Sequence, residues 1–218
     1  MDTHAVLRAA DRSIVPWRNG RGTTVDVARD PVGGGTEGFD WRISIATIDG
    51  DGEFSRFPQV DRVLVPLSAE GLRLSMKGRE VVVGRHESIA FRGEGAVASL
   101  AGPERGRALN LMVRRGARTG SIAIESVGRG SGWRSASASD SAAGSDSASA
   151  SDTLTLRAGA LEDVVVLALS NGLAVQANDD RMPADHLGEL DAVRVLSGWT
   201  IRVSGSGILA VVRVATTG

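Results

Sequence analysis

Trp41-Arg42-Ile43-Ser44-Ile45-Ala46 alternates strictly between two kinds of side chain. Successive side chains of a β-strand point to opposite faces, so Trp41, Ile43 and Ile45 line one face and Arg42, Ser44 and Ala46 the other. The run is that of a strand, and weaker versions of it recur along the chain. Val-, Ile- and Leu-rich stretches fall at 63–67, 72–76, 81–83, 89–91, 97–100 and 109–113, and again at 153–156, 164–169, 173–176, 192–196, 201–203 and 208–214. Gly, Asp, Asn, Ser or Pro separates them, which is the rhythm of an all-β sandwich or barrel. No long stretch holds a 3.6-residue period. Residues 5–10 offer a short helix as the single weak exception.

The composition breaks once. From Arg129 to Asp152 the sequence is almost entirely Ser, Ala, Asp and Gly, too polar and too small to bury the surface that ordering requires. It reads as a flexible insertion whose removal (131–151) costs the fold little. Residues 1–128 are then expected to form an N-terminal lobe carrying any site, and residues 153–218 a C-terminal lobe that is mainly scaffold.

The two parts resemble each other. Asp61-Arg62-Val63-Leu64-Val65-Pro66-Leu67-Ser68 lies on Asp163-Val164-Val165-Val166-Leu167-Ala168-Leu169-Ser170, and the pairs Gly71-Leu72 and Gly172-Leu173 follow. Further on, 87–91 matches 191–195, and 109–113 matches 209–213. Three matches in order, at an offset of about 100, point to a duplicated β unit. In this alignment Arg62 meets Val164 and Asn110 meets Ala210, so the first copy keeps polar groups that the second has lost. A barrel wall holds a buried Arg or Asn only if something satisfies it. Either these two brace loops, or a pocket sits in the first lobe.

Composition excludes several classes. The 218 residues carry a net charge of −1 with basic residues scattered singly, which leaves no footprint for nucleic acid or an anionic membrane. With 42% apolar residues the chain can build a large core. Lys77 is the sole lysine among 25 basic residues. There is no cysteine, hence no disulfide, thiolate metal site or cysteine nucleophile. The start, Met1-Asp2-Thr3-His4, shows no secretory signal, and the aliphatic run 164–169 is far too short to span a bilayer. A cytoplasmic protein is expected.

Chemical motifs are few. Trp17-Arg18-Asn19-Gly20-Arg21-Gly22-Thr23-Thr24 is rich in glycine and donors, and its Asn-Gly pair signals a turn or a close approach to a ligand. It lacks the Gly-Lys-Ser/Thr ending of a phosphate loop. His4, His86 and His186 are far apart, without the clustering that metal sites need, so no metal or other cofactor is expected. No nucleophile elbow or triad context is visible. Asp26, Asp61 and Glu94 are the carboxylates available for acid–base work, with a structural role the plainer reading of each.

Taken together, these segments resemble the HutD/Ves family. The resemblance is carried by residues 17–24, by Phe39-Asp40-Trp41-Arg42-Ile43-Ser44-Ile45-Ala46, by Asp51-Gly52-Glu53-Phe54-Ser55-Arg56-Phe57-Pro58 running into Asp61-Arg62, and by Asn110-Leu111-Met112-Val113-Arg114-Arg115. It implies a bicupin of two fused cupin-type β-barrel or jelly-roll lobes without the usual cupin metal ligands. It also implies association with histidine-utilisation genes in a regulatory or sensing role. The chain departs from the family pattern at Ala108-Leu109, where Asp-Phe is expected, and at Asp26, Gln59 and Glu94, which stand for Glu, Gly and Asp. Loss of the acid at Ala108 favours binding over catalysis.

The site expected from these readings comprises Trp17, Asn19, Arg42, Ser44, Arg62 and Asn110. Arg42 and Arg62 offer forks for a carboxylate, unless Asp26 or Asp61 occupies them. Asn19 and Asn110 suit an amide, formyl or imidazole group, and Trp17 and Trp41 supply apolar walls. The expected partner is a small carboxylate-bearing metabolite such as N-formylglutamate or urocanate. No nucleic acid or membrane partner is expected, and a homodimer stays open. A metal-independent isomerase or hydrolase of a similar acid is the alternative function, and a protein-interaction scaffold the third.

Overall fold

The computed structural model describes residues 4–17, 19–31, 38–100, 102, 105–128, 152–177 and 183–217. The expected insertion at 129–152 lies outside them except for Asp152. Nineteen strands and one 3-10 turn make up the secondary structure of the described residues. None of their helices is long and apolar enough to cross a membrane.

A six-stranded sheet runs in the order β2 (Ile14–Pro16), β3 (Gly22–Asp30), β4 (Trp41–Ile48), β11 (Gly106–Arg114), β6 (Val60–Pro66) and β9 (Ile89–Arg92). Facing it is a four-stranded sheet of β5 (Gly52–Glu53), β10 (Val97–Leu100), β7 (Leu72–Met76) and β8 (Arg79–Val83). Between them lies the interior of the first barrel, with Ala46, Ile48, Leu64, Leu72, Leu74, Val83, Val97 and Ala108 in contact.

The second barrel repeats the plan. Its five-stranded sheet is ordered β1 (His4–Leu7), β17 (Ala192–Val195), β14 (Glu162–Ala168), β19 (Gly207–Thr216) and β12 (Arg118–Val127). Its four-stranded sheet is β13 (Thr153–Arg157), β18 (Thr200–Gly205), β15 (Leu173–Ala177) and β16 (Asp185–Leu187). The order β4-β11-β6-β9 thus has its counterpart in β12-β19-β14-β17, and β5-β10-β7-β8 in β13-β18-β15-β16. This is the bicupin arrangement, two fused β-barrel lobes of one design. The repeated Gly-Leu pair opens β7 and β15, with Gly71 at φ +69° and Gly172 at φ +91°. A Cβ at Gly71 would run into the Val83 carbonyl, and one at Gly172 would stand 2.8 Å from that of Ser206. Both turns require glycine.

Strand pairing draws the lobe boundary differently from composition. β12 and β1 come from residues 1–128, yet both belong to the sheet of the second barrel. The low-complexity stretch therefore connects β12 to β13 inside the second unit, where the first unit has residues 49–51 between β4 and β5. The helix expected at 5–10 is strand β1 followed by the 3-10 turn Ala9–Asp11. His4–Leu7 pairs with 192–195, and that tertiary pairing overrides the local preference.

The two larger sheets pack on each other. Trp41, Ile43, Ile45, Leu109, Leu111, Val113 and Val65 of the first meet Val165, Leu167, Ala192, Ala210, Val212 and Val214 of the second. Each such side chain contributes about 1.5–3 kcal/mol when fully buried. One polar cluster crosses this layer. Trp41 Nε1 donates to Asp163 Oδ2 at 3.0 Å, Arg194 Nη2 donates to Asp163 Oδ1 at 2.7 Å, and the Arg194 guanidinium stands 5.0 Å from the Trp41 ring centre. Trp41 is thus committed to the joint between lobes and is no wall of a pocket.

Asp163→Ala leaves the buried Trp41 N–H without its acceptor and Arg194 with only the longer contact to Asp30, at 3.7 Å. The expected loss is about 1.5–3 kcal/mol, the scale of hydrogen bonds to a charged group. Urea unfolding followed by tryptophan fluorescence checks it; an unchanged midpoint would contradict the account of the joint.

Candidate functional site

The inner face of β4 is the polar half of the alternation, and it points into the first barrel. Register places Met112 of β11 opposite Arg42 on one side and opposite Arg62 of β6 on the other. One row deeper, Asn110 stands between Ser44 and Leu64. Arg42, Ser44, Arg62 and Asn110 are all buried, at 9%, 2%, 8% and 4% exposure. A polar face normally looks at water. Here it looks at a core.

The two arginines differ in what holds them. Arg42 donates through Nε to Asp26 Oδ1 at 2.7 Å and through Nη2 to the same oxygen. Asp26 lies on β3 opposite Ser44, immediately before a bulge at Val27, and its other oxygen is 3.4 Å from Arg29 Nη1. Arg62 has no such partner. Nη2 donates to Asn110 Oδ1 at 3.1 Å and Nη1 to the Ser55 carbonyl at 3.4 Å, while Nε is buried without a hydrogen bond. Among the described residues no carboxylate lies within ion-pair distance of it. Its guanidinium instead stands 5.2 Å from the ring centre of Phe54 and 5.0 Å from that of Phe91. Such contacts partly replace hydration, at up to about 2 kcal/mol each. Burial, reinforced by the nearby positive charge of Arg42, pulls the Arg62 pKa down to about 10. It stays charged at neutral pH, desolvated and without a counter-ion among the described residues.

Trp17 sits one layer behind. Its Nε1 donates to Thr24 Oγ1 at 2.7 Å, and its ring meets that of Phe54 edge-on at 6.4 Å. The segment after β5 covers Arg62 through Phe54 and the Ser55 carbonyl. Two surface clefts, of about 510 and 370 Å³, lie elsewhere: the first is lined by Asn19, Arg21, Asp51 and Ser99, the second by Ser68, Glu70, Arg73 and Arg105.

Other candidate groups are engaged structurally. Asp61 accepts from Arg115 Nε at 3.0 Å and Nη2 at 2.6 Å. Glu94 accepts from Arg115 Nη1 at 2.8 Å, and that bond holds its pKa below the ordinary carboxylate value. His86 is buried in the turn between β8 and β9, and burial lowers its pKa. His186 lies on β16, and His4 Nε2 is 3.1 Å from Asp185. Among the described residues no three His, Cys, Asp or Glu side chains are grouped so as to hold a metal.

Comparison with known proteins places this architecture. The family profile described as HutD matches residues 9–181, which runs through both barrels. The chain belongs to the HutD family. Over 94 residues it is 39% identical to an uncharacterized 21.2 kDa protein in the hutC 3′ region of Pseudomonas putida, covering 43% of this chain and 49% of that protein. Over 103 residues it is 40% identical to the protein Ves of Citrobacter koseri, covering 45% and 52%. The chain thus matches about half the length of these relatives. Among solved structures, HutD from Pseudomonas fluorescens SBW25 is similar with a TM-score of 0.74 at 24% identity, covering 99% of this chain and 100% of that one. A conserved protein of unknown function from Pseudomonas aeruginosa PAO1 gives a TM-score of 0.76 at 23% identity, covering 99% and 100%. Both likenesses show the fold.

Within this HutD fold, four of the six expected site residues converge, namely Arg42, Ser44, Arg62 and Asn110. Trp17 supports the cluster through Phe54. Asn19 does not join it: it is exposed in the turn before β3, where its Oδ1 accepts from Arg21 N at 3.0 Å. The Asn-Gly pair is a turn device there. Arg42, whose fork was expected to be free for a carboxylate unless Asp26 or Asp61 took it, has given it to Asp26. The alignment of the repeats also shifts by one residue on the last strand. Leu64 and its equivalent Val166 pair with Asn110 and Val211, so Asn110 corresponds to Val211. Ala210 faces the joint between lobes instead. The asymmetry survives, because Val164 and Val211 are both core aliphatics of the second barrel. Phe54 and Phe91 were not singled out from sequence. Only the register Arg62 opposite Phe91 and the return of the chain after β5 bring them to the guanidinium.

A buried charge without a counter-ion costs stability, and its apolar replacement relieves that cost. The double variant Arg62→Met, Asn110→Leu puts apolar side chains where the second barrel has Val164 and Val211. We expect it to exceed the unliganded wild type by about 1 kcal/mol or more in chemical denaturation. A less stable variant would mean that Arg62 braces the barrel.

Proposed function

We propose that the first barrel binds a small carboxylate-bearing metabolite at Arg62, and that the protein acts by binding, without a metal, in sensing or regulation of histidine utilisation. The observation that carries this reading is the Arg62 guanidinium, buried and charged with no described counter-ion and with its Nε unpartnered. A carboxylate supplies both the missing charge and an acceptor in the geometry that a guanidinium fork prefers. Asn110, whose Oδ1 is taken by Arg62, retains an NH2 group, and Ser44 contributes a hydroxyl beside it. These suit an amide, formyl or imidazole group elsewhere on the ligand. Phe54 and Phe91, backed by Trp17, form the apolar wall. Entry passes the 54–59 segment, whose residues 55, 56, 58 and 59 are exposed.

N-formylglutamate and urocanate are the concrete candidates. Their place in histidine breakdown accords with the P. putida relative in the hutC 3′ region, and the P. fluorescens HutD structure is of a formate condition, formate being the smallest carboxylate. A cytoplasmic location goes with this reading, and no nucleic acid or membrane enters it.

Thermal shift identifies which acid binds, since a ligand of the native state raises apparent stability by mass action. Calorimetry then locates the site. Arg62→Lys weakens binding because an ammonium cannot form the fork, and Arg62→Ala costs more, about 1.5–3 kcal/mol. Arg157→Ala, in an exposed position of the second barrel, leaves affinity unchanged. Unaltered binding in Arg62→Ala contradicts the reading, and turnover of either acid replaces it with a metal-independent isomerase or hydrolase.

A further inference from the structure

We propose that two copies of the chain associate edge to edge through β9, the two strands running antiparallel about a two-fold axis at Ala90. Association of this kind does not depend on whether Arg62 takes a carboxylate.

The duplication points to this edge. Leu64 and its equivalent Val166 pair with Ile89 and Val193, so Ala90 corresponds to Arg194 and Phe91 to Val195. In the second barrel a further strand lies along that edge. There β1 runs antiparallel to β17, with Ala5 opposite Arg194 and Val6 opposite Val193. With β1 in place, Val193 and Val195 are 0% and 1% exposed. In the first barrel β9 ends its sheet, and no described strand pairs with its outer edge. Ile89 and Phe91 are only half-buried, and Ala90 and Arg92 are exposed. The same unit therefore takes an antiparallel strand on this edge in one copy and leaves it open in the other. An open edge presents unpaired N–H and C=O groups to another chain.

Backbone direction and side chains make a second β9 fit there. Gly93 N donates to the Val60 carbonyl at 2.7 Å. In an antiparallel ladder the backbone groups of Ile89 and Phe91 then also turn toward β6, and those of Ala90 and Arg92 turn outward. Residue 90 of the two copies can exchange two hydrogen bonds. That register sets Phe91 against Ile89 of the partner subunit, apolar against apolar on the inner face. On the outer face the small Ala90 meets its own copy. Arg92 falls opposite Ser88 of the partner subunit, one residue from the partner's Glu87. These charges are complementary and available. Among the described residues Arg92 has no carboxylate within ion-pair distance, and the exposed Glu87 holds only Gly84 N, through Oε2 at 2.9 Å. The two-fold axis makes each such contact twice. Phe91 is also the ring whose centre stands 5.0 Å from the Arg62 guanidinium, so the partner subunit would cover one wall of that cluster.

Sedimentation velocity and light scattering on the full chain test this. At about 100 μM the wild type should have about twice the 22.6 kDa mass of one chain. Ala90→Pro removes an N–H that points away from β6, which an edge strand tolerates, and should weaken association at least about tenfold without loss of cooperative unfolding. Arg92→Glu places like charges beside each other and should also weaken it at least about tenfold. Adding Glu87→Arg to Arg92→Glu exchanges the charges and should restore the dimer. If Ala90→Pro does not fold, the charge reversal and its rescue decide. A monomeric wild type overturns the proposal. So does a dimer that survives Ala90→Pro or Arg92→Glu, as one built on the exposed Ile14 and Val15 of edge strand β2 would.

Discussion

The slab formed by β4, β11 and β6 is buried on both faces, and the rest of the molecule is arranged around that constraint. On one face Trp41, Ile43, Ile45, Leu109, Leu111 and Val113 close the joint with the second barrel. On the other, Arg42, Ser44, Arg62 and Asn110 form part of the floor of the first barrel. A lone antiparallel sheet can put its polar face in water. Fusing two barrels back to back removes water from the outer face, and the opposing sheet of each barrel removes it from the inner one. Every polar group on the slab must therefore find its partner inside the protein or in a ligand.

The second barrel shows what the same architecture does when nothing has to be bound. Val164, Val166, Val193, Val211 and Leu209 fill its interior, and no guanidinium enters it at the equivalent of Arg62. The first barrel keeps a charge that its own described side chains do not balance. Arg62 leans on two phenylalanine rings and one amide, while Arg42, its neighbour across Met112, is neutralised by Asp26. The second copy holds its own arginine of this row, Arg213, on a carboxylate, Glu162, and sets aliphatics at the equivalents of Arg62 and Asn110; that contrast is the physical argument for function at Arg62.

Much of this was legible in the sequence. Alternation in 41–46 gave the strand and its two faces, and the repeat gave two units and the loss of Arg62 and Asn110 from the second. What sequence could not supply was anything that depends on register or on pairing between distant strands. Asn110 was set against Ala210 instead of Val211, a slip of one residue that turns a side chain to the opposite face. Asp26 as the partner of Arg42 requires β3 beside β4, with its bulge in place. Asn19 looked like a binding residue because an Asn-Gly turn and a ligand loop share the same composition. The boundary between lobes was hidden by the low-complexity stretch, which marks a break in composition and falls within the second unit.

The central claim is that the Arg62 guanidinium is the anchor for a carboxylate. Nitrogen-15 NMR of the arginine side chains reads it directly, because a buried Nε–H gives a resolved signal that moves when it gains an acceptor. Titration with formate should shift the Arg62 Nε–H resonance saturably toward higher proton frequency, and that resonance should be missing in Arg62→Lys. The Arg42 signal, already bonded to Asp26, should move little. An Arg62 resonance that stays put while formate saturates another site, or that never responds, would contradict the account.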